Sequence, residues 1–454
     1  MKKPELIDLE TLVVEKLWGR ISLLQSQQEK EDAIISIINE AQGTDHKEMV
    51  EKDLKNIKDD QTKVEFVKEF LSYGLIEELL CDSQVEDIII NSLKEIYVHH
   101  ATQGLIPTGR RFASQKELDL FVKKLLLFSG RHHFDRIINL ELPNLEGRVN
   151  IVTSAFGPQI TITKAKVDPL SIIDLIKKDS MTFKVAAQLW LYVEGMSVKP
   201  ASLIIAGGPG TGKTTLLNAL FSFVPENERM VIIEDTLELN TFLEESCSRL
   251  ESDEEISLAQ LVKNSLRMRP DRIVVGEVRG IEARDMITAV NVGKNCMGTI
   301  HAATSREAIL RLQNEPMNVP EILVNLVDVF VIMKRFHVHD KVYRVVDEVS
   351  ETGGMEQKTV LLSQLFKYDY EKKSIKSVSP STIYRDRLAR ATGLSARDII
   401  DEVDIRAVVL ETLAKKNVHT MTELTVFCRQ YAKNPGRALE SLGLDRERLI
   451  HSRR

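Results

Sequence analysis

Residues Gly207 to Thr214 read GGPGTGKT, and few stretches this short leave a chain so little freedom in how it folds. Gly207, Gly210 and Gly212 let the backbone curl until successive N–H groups point at one anion. A helix starting directly behind them adds the positive end of its dipole. The flanks fit that geometry. Leu203-Ile204-Ile205-Ala206 is an apolar run suited to a buried parallel strand, and Leu216-Leu217-Asn218-Ala219-Leu220 reads as a buried helix. The candidate nucleotide-binding residues are therefore Gly207, Gly208, Pro209, Gly210, Thr211, Gly212, Lys213, Thr214 and Thr215. Lys213 is expected to reach the β- and γ-phosphates, and the Thr214 hydroxyl to hold Mg²⁺. The bland alternative is a turn that merely joins strand to helix, and it gives Lys-Thr at a helix start no packing reason.

With 454 residues the chain has material for about two to four domains. A net charge of -6 argues against a general nucleic-acid binder. The 4 cysteines, Cys81, Cys247, Cys296 and Cys428, are scattered without a Cys-x-x-Cys pair, so neither a zinc ribbon nor a disulfide framework is expected. The N-terminus lacks an apolar core, and no stretch reaches the roughly 18 apolar residues of a membrane span. A soluble, cytoplasmic protein is the expectation.

Four regions follow from pattern. Residues 1–70 are charged, with Ile34, Ile35, Ile37 and Ile38 at helical spacing, and read as a helical region or arm. Residues 71–178 read as a mixed α+β domain plus linker. It has strands at Val85 to Ile90, Glu95 to His99, Val149 to Thr153 and Gln159 to Thr163, and a helix over Gln115 to Phe128. Pro169 and Lys177-Lys178-Asp179-Ser180 mark the linker. A doubly wound α/β domain is expected over 179–347, with strands at Leu203, Val231, Ile273, Met297 and Val329. Residues 348–454 read as a strand pair (Thr359 to Leu362, Leu365 to Tyr370) and a helical tail. Caps are expected at Ser395 with Asp398, at Thr420 with Glu423 and at Asn434-Pro435.

Three further segments carry chemistry. Val231 to Leu239 is an apolar strand ending in carboxylates, and such an edge faces the ligand crevice of an open α/β sheet. Glu238 or Glu234 can orient or deprotonate an attacking water, and Asp235 can position that water or Mg²⁺. The competing reading is a solvated acidic loop. Arg267 to Gly280 holds a buried strand, Ile273 to Val275, with Glu277 at its polar end, as in a Walker B strand whose glutamate holds the Mg²⁺ water shell. Arg267, Arg269 and Arg279 are open between phosphate and a neighbouring subunit, and Arg272 is read as a surface residue. In Gly298-Thr299-Ile300-His301-Ala302, a lone histidine is ordinarily structural, but among these motifs His301 is a candidate γ-phosphate contact.

Together these residues resemble the secretion ATPases of the type II and type IV secretion superfamily. The set is the phosphate loop at 207–214, IIEDTLEL at 232–239, LRMRPDRIVVGEVRG at 266–280 and GTIHA at 298–302. The likeness extends back through Val85-Glu86-Asp87-Ile88, Gly130-Arg131 and Gly147-Arg148-Val149-Asn150, and the tail with Asn434-Pro435 resembles the Tad-pilus and archaeal pilus or archaellum branch. The resemblance implies a RecA-like P-loop ATPase domain behind a mixed, PAS-like α+β domain, assembled as a hexameric ring. ATP would bind between the two domains, with Arg131 and Arg148 reaching it. The ring would dock on a polytopic inner-membrane platform protein and act indirectly on pilin or a secreted protein, peripheral to the cytoplasmic face of the membrane. Glu238, Glu277, Lys213 and His301 are then the candidate catalytic residues. Thr214 and Glu277 would serve Mg²⁺, and Glu234, Asp235, Arg267, Arg269 and Arg279 would complete the nucleotide site.

The chain departs from the family pattern at Thr163-Lys164, at Val292-Gly293-Lys294-Asn295-Cys296 and at Ala303-Thr304, and it lacks the paired-cysteine zinc insertion of many type II members. Two other classes compete with a motor that assembles or retracts a pilus or secretes proteins. One is a nucleic-acid-translocating ring, disfavoured by the acidic balance. The other is a nucleotide-gated structural ring, for which the 292–296 segment speaks. No Asn-Lys-x-Asp motif suggests a GTPase.

Overall fold

Strand alternation between 85 and 163 builds the first of two units. The computed structural model describes residues 4–21, 25–43, 60–130, 135–142, 147–164, 169–240, 246–253, 255–338, 341–357 and 359–451. The chain divides into Met1–Val167 and Asp168–Arg454. In the first unit, β1 (Val85–Asn91), β2 (Tyr97–His100), β3 (Gly104–Pro107), β4 (Ile137–Leu142), β5 (Gly147–Ser154) and β6 (Gly157–Thr163) pair antiparallel in the order β3-β2-β1-β6-β5-β4. Ile88, Ile90, Val149, Ile151, Ile160 and Ile162 are buried on it. The helix Gln115–Ser129 contributes Leu118, Leu125 and Leu126 to the same core. It starts where the Ser114 side chain accepts from the Glu117 N–H, and it stops at Gly130, whose φ of 70° is the left-handed conformation glycine adopts without strain.

The N-terminal helices share that core. Val13, Ile34, Ile37 and Phe70, from Pro4–Leu17, Gln27–Gly43 and Asp60–Leu71, belong to one cluster with the sheet. Buried Lys124 lies 3.5 Å from buried Glu10 and donates to the Ser72 carbonyl at 3.0 Å. The charged region ahead of the sheet is thus packed material over its described residues.

In the second unit, β7 (Leu203–Gly207), β8 (Met230–Glu234), β9 (Cys247–Glu251), β10 (Arg272–Val278), β11 (Asn295–Ile300), β12 (Val329–Val338), β13 (Lys341–Glu356), β14 (Thr359–Asp369) and β15 (Ser374–Ser377) form one sheet ordered β15-β14-β13-β12-β7-β11-β10-β8-β9. Its β12-β7-β11-β10-β8-β9 half is parallel, and the rest is antiparallel. All five residues of β7 and of β8 are buried, as a parallel sheet covered on both faces requires. The strands expected at Leu203, Val231, Ile273, Met297 and Val329 are all present. The two short runs expected over Thr359 to Tyr370 are one strand that extends the same sheet. Lys177 to Ser180, expected as a linker, lies within the second unit: Ile172–Lys177 is a helix with a Ser171/Asp174 capping box, and the Ser180 carbonyl accepts from Val346 N at 2.8 Å.

The reading of Arg272 as a surface residue is corrected by the fold. Its side chain is fully buried at the start of β10. Nε donates to Glu228 at 2.8 Å and Nη2 donates to the Val193 carbonyl at 2.8 Å. A guanidinium with five donors can tie a strand, a loop and a helix end at once, and here burial follows from that pairing.

The tail is helical as expected, with capping boxes at Ser395/Asp398 and Thr420/Glu423 and with Asn434 accepting from Arg437 N. Ile399, Val403, Leu410, Leu424 and Tyr431 share a core with Trp190, Phe223 and Leu217 of the phosphate-loop layer. At the centre lies Arg406, which donates to Glu194 at 2.6 Å and to Glu402 at 2.9 Å, with its guanidinium 4.7 Å from the Trp190 ring centroid. Removing one partner of a buried ion network leaves the others uncompensated. Arg406→Ala is expected to cost about 3–5 kcal/mol of stability, measurable by urea unfolding, against about 1 kcal/mol or less for the exposed pair partner Lys415→Ala.

Candidate active site

Register decides what meets what. In the parallel half, Gly207 pairs with Met333, Ala206 with Ile300 and Ile233 with Val275, so β7, β8, β10 and β11 end at one edge of the sheet. The phosphate loop follows β7, Asp235 follows β8, Glu277 stands near the end of β10 and His301 directly follows β11. Four segments remote in sequence therefore converge, as expected at the carboxyl edge of an open α/β sheet. Along β10 the ladder slips: Val275 pairs with Gly298 but Val278 with Ile300, leaving an extra residue at Gly276-Glu277. Such a bulge re-aims the side chains within it. The Thr299 hydroxyl fixes the bulge by donating to the Gly276 carbonyl at 2.7 Å.

The loop itself is tightly wound. Gly210 and Gly212 have φ of 66° and 92°, in the left-handed region. Any Cβ on Gly207 would lie 2.6 Å from the Met333 carbonyl oxygen. The Thr211 hydroxyl and Lys213 Nζ both donate to the Gly208 carbonyl, at 2.8 and 3.1 Å. Burial pulls the Lys213 ammonium below its ordinary pKa, while the charges of Glu277 and Glu238 work the other way.

Glu277 is the electrostatic centre. Arg279 Nη2 donates to its Oε2 at 2.5 Å, and His301 Nε2 lies 2.6 Å from its Oε1. Oε1 is buried and makes no hydrogen bond, so the imidazole meets it as an ionic contact only. Burial works to raise the Glu277 pKa, but Arg279, by hydrogen bond and charge, together with the charges of His301 and Lys213, outweighs it and holds the carboxyl below its ordinary value. Arg279 also comes within 4.0 Å of Asp235, which accepts from the Ser252 hydroxyl at 2.7 Å.

Glu234 behaves differently from the other carboxylates. It is 2 % exposed, and its Oε1 accepts from the Glu238 and Leu239 N–H groups, both at 3.1 Å. Burial drives its pKa up to about 8, against the opposing pull of those two bonds and of Arg249. This buried group shapes the turn that carries exposed Glu238. It fits only because β10 has glycine beside it: a Cβ on Gly276 would meet Glu234 Cγ at 2.8 Å.

Other sequence candidates lie elsewhere. Arg267 and Arg269 are exposed ahead of β10, at the amino edge of the sheet, a strand's length (roughly 20 Å) from the phosphate loop of the same chain. Arg148 is exposed on β5 in the first unit, and Arg131 lies outside the described residues. The unusual segment 292–296 leads into β11 at that same amino edge, where Asn295 pairs with Arg272, and so stands apart from His301. Thr304 caps the helix Ser305–Gln313, accepting from Glu307 N at 3.1 Å. Two arginines that sequence reasoning passed over do reach the loop: Arg344 Nε donates to the Gly210 carbonyl at 3.0 Å, and Arg335 Nη1 would lie 3.2 Å from a Cβ on Gly210.

A family model described as "Type II/IV secretion system protein" matches residues 122–420. The chain belongs to the type II/IV secretion system protein family. Among relatives of this family, an uncharacterized protein of Methanocaldococcus jannaschii is 30% identical over 368 residues, which is 77% of this chain and 66% of that protein. A second one from the same organism is 37% identical over 233 residues, 48% of this chain but 32% of that protein, so the chain spans less than two thirds of both. The probable conjugal transfer protein TrbB of Sinorhizobium fredii is 30% identical over 272 residues, 56% of this chain and 81% of its own length. Among solved structures, the ATPase DotB of Legionella pneumophila matches 79% of this chain and 86% of its own, at 18% identity and a TM-score of 0.42. The segments 207–214, 232–239, 266–280 and 298–302, which carry the resemblance in sequence, are the ones that the sheet edge brings together, Arg267 and Arg269 excepted.

Two outcomes follow from Glu234. Gly276→Ala is expected to displace it and to cost about 1–3 kcal/mol of stability in thermal or urea unfolding, the range for overpacking a filled interior. Because its folded pKa of about 8 exceeds the ordinary 4.5, the native state binds the extra proton between those values, and stability falls as pH rises through that window. Glu234→Gln, which stays neutral, should flatten this slope in urea unfolding measured from pH 5 to pH 9.

Proposed function

We propose that this chain is an ATP-hydrolysing motor that powers assembly or retraction of a pilus-like filament, or protein secretion, through a membrane platform. The observation that carries the reading is the meeting of Lys213, Glu277, Arg279 and His301 at the mouth of one phosphate loop. A structural turn would not need a partly buried carboxylate kept ionised by three cationic or ionisable neighbours.

The residues divide the work. The loop N–H groups and Lys213 bind the phosphate chain and neutralise charge on it. Mg²⁺ fits this donor set: Thr214 stands in the first turn of the helix Lys213–Leu220 behind the loop, and the buried Oε1 of Glu277 makes no hydrogen bond and has only the His301 imidazole beside it. Among the described residues no group of three or more acidic, His or Cys side chains can hold an ion unaided, so nucleotide oxygens and water would complete its shell. When bound, the ion supplies charge neutralisation between the outer phosphates. Glu238, on the turn that Glu234 shapes, orients the attacking water, and Arg279, set between Glu277 and Asp235, screens one carboxylate from the other. His301, directly after β11 and beside Glu277, reports the terminal phosphate to Glu277 and β11. The ring assembly, RecA-like mechanics, platform, cytoplasmic position and pilin or secreted cargo belong to this proposal through the family. No described helix is long and apolar enough to cross a membrane.

Steady-state phosphate release from the full chain across a concentration series, with mass followed by light scattering, tests this. Wild type should turn over with a rate that rises as it assembles. Lys213→Ala should lose at least about a hundredfold of turnover, and Glu277→Gln should retain ATP while releasing phosphate at least about a hundredfold more slowly. Unchanged turnover in Lys213→Ala would refute the site.

A further inference from the structure

The antiparallel hairpin of β12 and β13 brings two like charges face to face beside the phosphate loop. Arg335 and Arg344 are direct cross-strand partners, and both are exposed. Like charges opposite one another in a sheet destabilise it unless something screens them. Arg344 donates to the Gly210 carbonyl at 3.0 Å, and its Cδ lies 3.9 Å from where a Cβ on Gly212 would be. Arg335 Nη1 would lie 3.2 Å from a Cβ on Gly210, and among the described residues it makes no hydrogen bond or ion pair. A guanidinium beside an anion-binding loop, with no counter-ion among the described residues, is a group arranged for one that arrives.

The sheet order says which end of a nucleotide arrives there. β7 carries the loop, and its neighbours differ. On one side β11, β10 and β8 carry His301, Glu277, Arg279 and Asp235. On the other side stand β12 and β13 with the two arginines. A triphosphate whose terminal phosphate faces the Glu277 side must run its α-phosphate, sugar and base toward the hairpin. Met333, whose Cε lies 3.8 Å from a Cβ built on Gly212, gives that side an apolar floor.

We propose that Arg335 binds the nucleoside end of ATP, pairing with the α-phosphate and laying its planar guanidinium on the purine face, and that Arg344 positions the loop for it by anchoring Gly210. The inference rests on the phosphate-loop reading and adds to it a determinant for the base. Stacking of this kind recognises a purine by its face and area.

Binding of ATP, CTP and inorganic tripolyphosphate to the full-length protein separates the roles. The variants are Arg335→Ala, Arg335→Lys, Arg344→Ala and Lys213→Ala, with far-ultraviolet circular dichroism confirming that each is folded. Arg335→Ala should weaken ATP by about a hundredfold, losing both the α-phosphate contact and the stack, and tripolyphosphate, which has the phosphates but no nucleoside end, by only about tenfold, the scale of one lost charge-assisted contact. Arg335→Lys should recover part of the ATP affinity but not the preference for ATP over CTP. Arg344→Ala, acting through the loop, should weaken ATP and tripolyphosphate together, as Lys213→Ala does. Equal losses for ATP and tripolyphosphate in Arg335→Ala, or no loss for either, would overturn the assignment while leaving the loop intact. Failure of the wild type to bind ATP or tripolyphosphate would remove the phosphate-loop reading and this inference with it.

Discussion

The parallel register of β7, β11, β10 and β8 is the constraint on which the site depends. None of Lys213, Asp235, Glu277 and His301 is near another in sequence except by that register, which ends four strands at one edge. Within it a single slipped residue at Gly276-Glu277 turns a carboxylate out of the sheet and toward Lys213, Arg279 and His301. A continuous ladder there would preserve the core and change where that carboxylate points.

Burial then sorts the carboxylates into different duties. Glu277, partly buried among cationic and ionisable neighbours, is held ionised, whereas Glu234, buried against Gly276 with two backbone donors, is driven toward its neutral form. Environments that separate the pKa values of nearby acids are a frequent mark of sites that handle protons and charge. Here the separation arises from one missing side chain on β10 and one arginine two residues beyond Glu277.

Much of this was legible in sequence because the signals are local. The phosphate loop needs glycines at fixed spacing, the caps at Ser395, Thr420 and Asn434 act over three residues, and five of the six parallel strands are short apolar runs. What escaped depends on partners far along the chain. Arg272 looks like a surface residue until Glu228 and the Val193 carbonyl fold onto it. Arg335 and Arg344 are unremarkable on their own strands, and only hairpin pairing sets them opposite one another at Gly210. Glu234 reads as one more acid in an acidic run, since burial and backbone donors leave no mark in composition.

Glu351 on β13 is fully buried and accepts from the Tyr192 hydroxyl at 2.7 Å, from Ser381 Oγ at 2.5 Å, and from the Ile383 and Tyr384 N–H groups, both at 3.2 Å. It stitches the start of the helical tail to the helix that lies ahead of β7. The packing boundary of the second unit and the boundary of the family-model match therefore differ: the match ends at residue 420, before Tyr431, whereas the hydrophobic core runs through it. A fragment trimmed to the recognisable family match would keep every phosphate-loop residue and expose the aromatic floor on which the layer behind them rests. Modularity visible in sequence is here no guide to where the chain can be cut.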